Sequence, residues 1–168
     1  MVDRTAPLTA GERAWLDRLL MPLSRGAPIL DLGCGGGEPI DRYLIDRDFH
    51  VVGIDSGAAL IELARTRFPR ERWLLGDMRT LTLDETFAGI VAWNSLHLLP
   101  PADQGRMAER AMAWLQPGGR LLFNTAPTPQ GQGDGFRAAL MRRGMVEMAH
   151  AESDPSCSGA GVSLMRKP

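Results

Sequence analysis

The sequence predicts an α/β fold with a doubly wound, seven-stranded, mostly parallel sheet and helices on both faces. Two observations along the 168 residues predict it: short apolar runs alternate with segments of helical period, and the last two runs have no helix between them. Strands separated by helices form βαβ units, whose right-handed crossovers cover both faces of a parallel sheet. The length suits a single domain over 1–168, with an N-terminal helix in 1–27 and the core in 28–168.

The first elements are a helix, a strand and a glycine loop. Thr9 and Glu12 have the spacing of a capping box and predict a helix that ends before Pro22. The apolar run 28–32 then predicts a buried strand that opens into the glycine-rich segment 33–37. A helix is expected directly after this loop, and its charged residues are expected to form a solvated face. These residues are Asp41, Arg42, Asp46, Arg47 and Asp48.

The alternation then repeats until the last third of the chain. The expected strands are 50–55, 73–75, 87–93 and 120–124, and the expected helices are 58–67, about 102–115 and about 135–143. The segment 117–119 is expected to stop a helix before the fifth strand. Two β-like runs follow at 145–151 and 162–165, and the loop between them has no room for a helix. They should therefore pair as an antiparallel hairpin, which adds a single antiparallel strand near the end.

Composition narrows the classes of protein. Nineteen basic against twenty acidic residues give a net charge of -1, so no excess of positive charge favours a nucleic-acid partner. No apolar run approaches the roughly 20 residues of a membrane span, and no secretory signal opens the chain. Cytoplasmic localisation is the expectation. Cys34 and Cys157 lie far apart without further ligands nearby, so neither a disulfide nor a metal site is predicted.

The glycine loop favours one kind of ligand. Its pattern is Asp31-x-Gly33-x-Gly35-x-Gly37, whereas the dinucleotide fingerprint G-x-G-x-x-G needs its third glycine where Glu38 stands. Asp31 and Glu38 also add negative charge where a helix N-terminus would otherwise meet a pyrophosphate. A ligand that carries a cation is the better match.

Two further acids follow the next strands. Asp55 ends the second strand, where an acid accepts hydrogen bonds from ribose hydroxyls. Asp77 follows the third strand, where it can accept from an exocyclic amine while Met78 packs against a base. A ribose, a base and a cationic group together describe S-adenosylmethionine.

On these residues the sequence resembles the class I S-adenosylmethionine-dependent methyltransferases. Residues 29–37 look like the first motif of that family, 52–56 its second strand, 76–78 its adenine-contacting segment, and 115–121 the turn before its fifth strand. The resemblance runs from Ile29 to the C-terminus and implies a Rossmann-like fold with S-adenosyl-L-methionine as cofactor. The cofactor-binding residues that it implies, or that stand within the matching motifs, are Asp31, Gly33, Cys34, Gly35, Asp55, Ser56, Asp77, Met78, Asn94 and Ser95.

For methyl transfer the protein mainly has to orient the reactants and exclude water, because the cofactor carries the reactive carbon. A general base is needed only where the acceptor must lose a proton. His97 is the histidine placed near the transfer site, and we expect it to be that base. The alternative is that His97 packs under the following helix or lines the pocket without titrating. Cys34 has no base nearby in sequence, so it is not expected to be a nucleophile.

The methyl acceptor is less well defined. Residues 94–97 do not match the motif of nucleic-acid amino-methylating enzymes, which favours a small-molecule acceptor. Residues 125–133 are expected to form a flexible loop that acts as a lid. The acceptor site is then open, completed by a second subunit in a homo-oligomer, or lost. Two other functions stay open: a module that binds the cofactor without catalysis, and a nicotinamide-dependent oxidoreductase.

Overall fold

A computed structural model describes residues 5–125 and 134–168. The predicted lid residues 126–133 lie outside the described residues. The strands are β1 Pro28–Leu32, β2 His50–Asp55, β3 Arg72–Leu75, β4 Phe87–Ala92, β5 Leu115–Thr125, β6 Val146–Asp154 and β7 Ala160–Arg166. The α-helices are α1 Ala10–Leu20, α2 Ile40–Ile45, α3 Ala58–Arg67, α4 Pro101–Trp114 and α5 Asp134–Arg142. None of the helices in the described part of the chain has the length and apolar character that crossing a membrane requires.

The strands form one sheet in the order β3-β2-β1-β4-β5-β7-β6. The first five strands pair in parallel, and β7 pairs antiparallel with both β5 and β6. The predicted fold class, including the closing antiparallel hairpin, is confirmed. The strand order reverses direction between β1 and β4, and such a switch point opens a crevice at the carboxyl ends of the strands.

Helices cover both faces of the sheet. Buried side chains of α1, α2 and α3 form one apolar cluster with alternate strand residues such as Ile29. Side chains of α4 and α5 form a second cluster with the intervening residues, such as Leu30. Successive strand residues point to opposite faces, so strands buried on both sides have the continuous apolar runs that the sequence shows.

Two stretches differ from the expected boundaries. The segment 117–119 does not end the pairing, because β5 already begins at Leu115 opposite Phe87 and resumes with Arg120 opposite Gly89 after an irregularity. The expected turn therefore lies within β5, as an irregularity in its pairing with β4. The hairpin is also tighter than expected: β6 continues to Asp154, and a single 3₁₀ turn over Pro155–Cys157 leads into β7.

Hydrogen bonds hold the first turns of helix α1, both within the helix and to the turn between β6 and β7. The predicted capping box is present, because the Thr9 hydroxyl accepts from the Glu12 N–H and the Glu12 carboxylate accepts from the Thr9 N–H. The same hydroxyl donates to the Ser156 carbonyl at 2.7 Å. The Trp15 indole donates to Asp154 at 2.8 Å. Helix α1 is thereby fixed to the turn between β6 and β7.

Candidate functional site

A cavity of about 320 Å³ opens at the carboxyl ends of β1 to β4, at the switch point of the sheet. Its size suits a small ligand. The wall contains all ten residues that the sequence assigned to cofactor binding, together with nine others. The ten are Asp31, Gly33, Cys34, Gly35, Asp55, Ser56, Asp77, Met78, Asn94 and Ser95. The others are Glu38, Pro39, Ile40, Leu60, Gly76, Arg79, Trp93, Leu98 and Leu99.

The glycine loop packs closely against the segment that follows β4. Gly33 has φ of +88°, and a Cβ on it would lie 2.5 Å from the Cβ of Ser95. The Ser95 hydroxyl is buried and meets no hydrogen-bond partner among the described residues. A buried hydroxyl without a partner costs free energy, so a polar group of a ligand would be favoured beside it.

Asp55 connects the glycine loop to the second strand. One carboxylate oxygen accepts from the Gly35 N–H at 2.9 Å, and the other accepts from the Gly57 N–H at 2.7 Å. Each carboxylate oxygen has more than one acceptor site. Asp55 is therefore held in place by the backbone and still has lone pairs for hydroxyl donors.

Asp77 forms a salt bridge with Arg79. The Arg79 guanidinium binds both Asp77 oxygens and reaches Asp103 on α4 at 3.0 Å. Hydrogen bonds from Arg79 lower the pKa of Asp77, so its carboxyl is ionised at neutral pH. The pair orients Asp77 at the rim of the cavity and connects that rim to α4.

The segment after β4 is fixed by an amide pair. Asn94 has a φ of +54°, a left-handed conformation that asparagine tolerates. Its N–H donates to the Asn124 amide oxygen, and the Asn124 amide nitrogen donates back to the Asn94 amide oxygen, both at 2.6 Å. Trp93 precedes the pair, and its indole donates to Glu12 of α1 at 3.2 Å.

The electrostatics of the wall favour a positively charged ligand. Four carboxyl residues line the cavity: Asp31, Glu38, Asp55 and Asp77. Arg79 is the one cation among the described wall residues, and it is already bonded to Asp77 and Asp103. A pyrophosphate would meet repulsion here, whereas an ammonium or sulfonium group would be attracted.

Two reactive side chains have different positions. Burial and the nearby carboxylates raise the pKa of the Cys34 thiol, so it stays protonated. His97 lies on a 3₁₀ turn over Leu96–Leu98, where its side chain is only partly exposed and does not belong to the cavity wall. Partial burial lowers the pKa of His97, which leaves the imidazole neutral at pH 7.

Asp41 corrects the prediction of a solvated charged face on α2. It is 1% exposed, and its carboxyl contacts Asp31 beneath the cavity. The sequence signal is misleading because α2 is only six residues long and its first turn follows directly on the glycine loop. Asp41 is buried together with Ile40 and Leu44, so it lies on the packed side of α2 and not on the solvated side.

Comparison with known proteins identifies the family. The sequence profile of the methyltransferase domain family matches residues 29–119, which contain all the residues predicted for cofactor binding. The chain belongs to this family. The resemblance to class I S-adenosylmethionine-dependent methyltransferases is therefore confirmed, and the match favours it over the oxidoreductase alternative.

The curated relatives that match this chain are longer than it is. It is 32% identical over 157 residues to a 27-O-demethylrifamycin SV methyltransferase of Amycolatopsis mediterranei, with 86% of this chain and 57% of the relative aligned. It is 33% identical over 107 residues to a trans-aconitate 2-methyltransferase of Azoarcus sp., with 60% of this chain and 40% of the relative aligned. The chain thus spans about half the length of these relatives.

Solved structures share the fold over nearly the whole chain. A TehB-like SAM-dependent methyltransferase from Corynebacterium glutamicum superposes with a TM-score of 0.76 at 29% identity, covering 92% of this chain and 88% of its own. The glycopeptide N-methyltransferase MtfA, solved with S-adenosylmethionine, gives a TM-score of 0.80 at 18% identity, covering 99% and 96%. The second likeness concerns the fold alone.

Sequence reasoning missed several residues of the site. Asn124 holds Asn94, Arg79 holds Asp77, and Asp41 contacts Asp31. Asn124 leaves a signal, because it is a polar side chain directly after the apolar run 121–123 that forms the buried end of a strand. The other two look like ordinary surface charges in the sequence and leave none.

Proposed function

We propose that this protein is an S-adenosylmethionine-dependent methyltransferase that acts on a small-molecule acceptor. The observation that carries the proposal is the acid-lined cavity that the glycine loop and the ends of β1 to β4 form together. Family membership supports the chemistry, and the charge of the wall supports a cationic cofactor over a phosphorylated one.

The described residues fit S-adenosylmethionine by their chemistry. Asp55 would hold the ribose hydroxyls, and Asp77 with Met78 would hold the adenine. Asp31 would face the ammonium of the methionine part, next to the unpartnered hydroxyl of Ser95. When bound, the cofactor supplies an electrophilic methyl group on a sulfonium.

The chain itself contributes orientation and exclusion of water. Gly33 packs directly against Ser95 in the cavity wall because it carries no Cβ, and Trp93 covers another part of the wall. We propose His97 as the proton acceptor for acceptors that must lose a proton: it lies outside the cavity wall but directly before the wall residue Leu98, and its neutral imidazole is the form that a base requires. For acceptors that lose no proton, positioning alone carries the catalysis.

The acceptor proposal draws on the relatives. Those named above are methyltransferases of demethylrifamycin SV and of trans-aconitate, and another matching group is the ubiquinone biosynthesis O-methyltransferases of Coxiella burnetii. All of these names refer to small molecules or their biosynthesis. The near-neutral net charge also gives no general attraction to a nucleic-acid backbone.

Two measurements test the proposal. Calorimetric titration with S-adenosylhomocysteine should show binding, while NADH titrated in parallel should show none. Incubation with methyl-labelled S-adenosylmethionine and a panel of small hydroxyl, carboxyl and amine compounds should then label at least one of them. Binding of NADH without S-adenosylhomocysteine binding would refute the cofactor assignment.

A second candidate function is a module that binds the cofactor without transferring its methyl group. The fold is compatible with it, because the cyclase SpnF has the same fold with a TM-score of 0.72 at 18% identity. This candidate predicts S-adenosylhomocysteine binding with no labelled product across the panel. Transfer to any acceptor at a turnover above one per protein excludes it.

We also propose a cytoplasmic location. Cys34 and Cys157 are both buried and unpaired, which suits a reducing compartment. Immunodetection of the tagged protein in fractionated cells tests this assignment.

A further inference from the structure

A buried pair of carboxyl groups lies beneath the cavity. Asp31 on β1 is 3% exposed, and Asp41 on α2 is 1% exposed. The two carboxyl groups are close enough to interact with each other. Neither oxygen of Asp41 meets an N–H or O–H donor elsewhere among the described residues.

Such a contact needs a proton. Ionised carboxylates only accept hydrogen bonds, so two of them in contact would repel, whereas a protonated carboxyl donates one O–H to its neighbour. Glu38 before α2 and Glu71 before β3 also act on Asp41 with negative charge. The Cys34 thiol, on the glycine loop, interacts with it as well.

Burial and the charge of Asp31 raise the pKa of Asp41 well above its ordinary range, in agreement with this geometry. Asp31 lines the cavity and Asp41 does not. The inner carboxyl thus contacts the outer one without contacting the ligand space.

We propose that Asp41 is a positioning residue for the cofactor site: its protonated carboxyl donates to Asp31, fixes the orientation of that side chain, and limits the pair to one negative charge. This inference rests on the proposed function, because one charge on the pair matches one ammonium group of the cofactor. Asp41 acts through Asp31 and does not touch the ligand.

Two variants of Asp41 and one control test whether the site needs a hydrogen-bond donor at position 41. Asp41→Asn keeps a donor of the same shape, and it should bind S-adenosylhomocysteine at pH 7 within about threefold of the parent protein. Asp41→Leu removes the donor from a site of similar volume, and its affinity should fall about tenfold or more, the usual cost of losing a hydrogen bond to a charged group. As a control for a surface acid, Asp84→Asn should change nothing.

Two readouts distinguish positioning from simple packing. The infrared spectrum at pH 7 should contain the C=O stretch of a buried protonated carboxyl, and Asp41→Asn should lose it. Without ligand, the melting temperature of the parent protein should fall relative to that of Asp41→Asn as the pH rises from 5 to 9, because the unfolded chain releases the Asp41 proton that the folded protein retains.

The outcomes decide separately on the two proposals. If Asp41→Asn binds as weakly as Asp41→Leu, or if the protonated-carboxyl band is absent, the positioning role is wrong. Should Asp41→Leu fail to fold, the infrared and melting comparisons with Asp41→Asn still decide. Failure of the parent protein to bind S-adenosylhomocysteine would refute the proposed function, while the band and the pH-dependent melting would still establish the protonated pair.

Discussion

At the scale of single residues, backbone conformation shapes the cavity as much as side-chain chemistry does. Gly33 needs both a positive φ and the absence of a Cβ, because Ser95 packs directly against it. Asp55 depends on the loop in a different way, since the Gly35 N–H holds one of its oxygens. The same loop therefore packs against Ser95 and orients Asp55.

Replacing Gly33 by Ala should destabilise the protein by about 1–3 kcal/mol, because the new Cβ meets Ser95 and the backbone is strained. Urea unfolding measures this loss. Gly26→Ala is the matched control, since Gly26 has a φ of +80° but nothing within 4 Å of an added Cβ. The control isolates the backbone strain, and equal losses in both variants would show that no close contact exists at Gly33.

Replacing Asp55 by Ala should weaken S-adenosylhomocysteine binding by at least about tenfold, as expected for losing hydrogen bonds to a charged acceptor. The Gly35 N–H also loses its acceptor, so the loop becomes less ordered. Calorimetric titration of this variant beside Asp84→Ala, an exposed acid away from the cavity, provides the comparison. Unchanged affinity would mean that the ribose site lies elsewhere.

The sequence predicted residues whose position follows from the strand pattern. Asp31, Asp55 and Asp77 stand at or beyond the ends of strands, and parallel strands bring such ends to one edge. The roles of Asp41 and Asn124 were not predicted, because they depend on contacts between different elements of the fold, and no local sequence pattern indicates such contacts. The burial of Asp41 against Asp31 is a tertiary contact of this kind.

At the scale of elements, α1 shows how a local signal and a tertiary contact reinforce each other. The capping box was readable from the spacing of Thr9 and Glu12, but the contact of Thr9 with Ser156 was not. Close packing is also required at Gly11, where an added Cβ would lie 1.9 Å from the Ser156 hydroxyl oxygen. The helix therefore fits one position against the hairpin turn.

Substituting Thr9 by Ala should lower the free energy of unfolding by about 0.5–2 kcal/mol, the cost of losing a helix cap. We expect the upper part of this range, because the hydroxyl also donates to Ser156. Equilibrium urea unfolding measures the change. Thr9→Ser retains the hydroxyl and should keep most of the stability, so an equal loss in both variants would contradict the capping role.

Element boundaries were predicted best where burial sets them. The ends of β2 coincide with those of the predicted strand 50–55, whose central residues are buried. The ends of β5 and β6 do not follow from composition, because pairing with β4 and β7 extends these strands through residues that look like turns. The extra length comes from neighbouring strands supplying hydrogen bonds, and a single sequence does not specify them.

At the scale of the whole molecule, two groups of carboxyls respond to pH in opposite directions. Hydrogen bonds from Arg79, Arg137 and Ser156 lower the pKa values of Asp77, Glu147 and Asp154, respectively. Their stabilisation is present above the ordinary pKa and is lost as the pH falls through the lowered values. Asp41 has a raised pKa, so its contribution declines as the pH rises from about 3.8 towards that raised value.

The stability of the protein should therefore peak in mild acid and decline on both sides. Urea midpoints recorded from pH 3 to pH 9 measure this profile. In Asp41→Asn the decline toward high pH should shrink while the decline toward low pH stays. A profile of the variant that parallels the parent at every pH would contradict the assignment of the high-pH slope to Asp41.

The Glu12 carboxylate connects helix α1 to Trp93 in the cavity wall. Glu12 accepts from Thr9 at the start of α1 with one oxygen and from the Trp93 indole with the other. Fraying of the first helical turn and loosening of the Trp93 wall are consequently one local unfolding event. A ligand that packs against Trp93 should therefore also stabilise α1. Slower hydrogen exchange of the backbone amides in that helix would then report that the cavity is occupied.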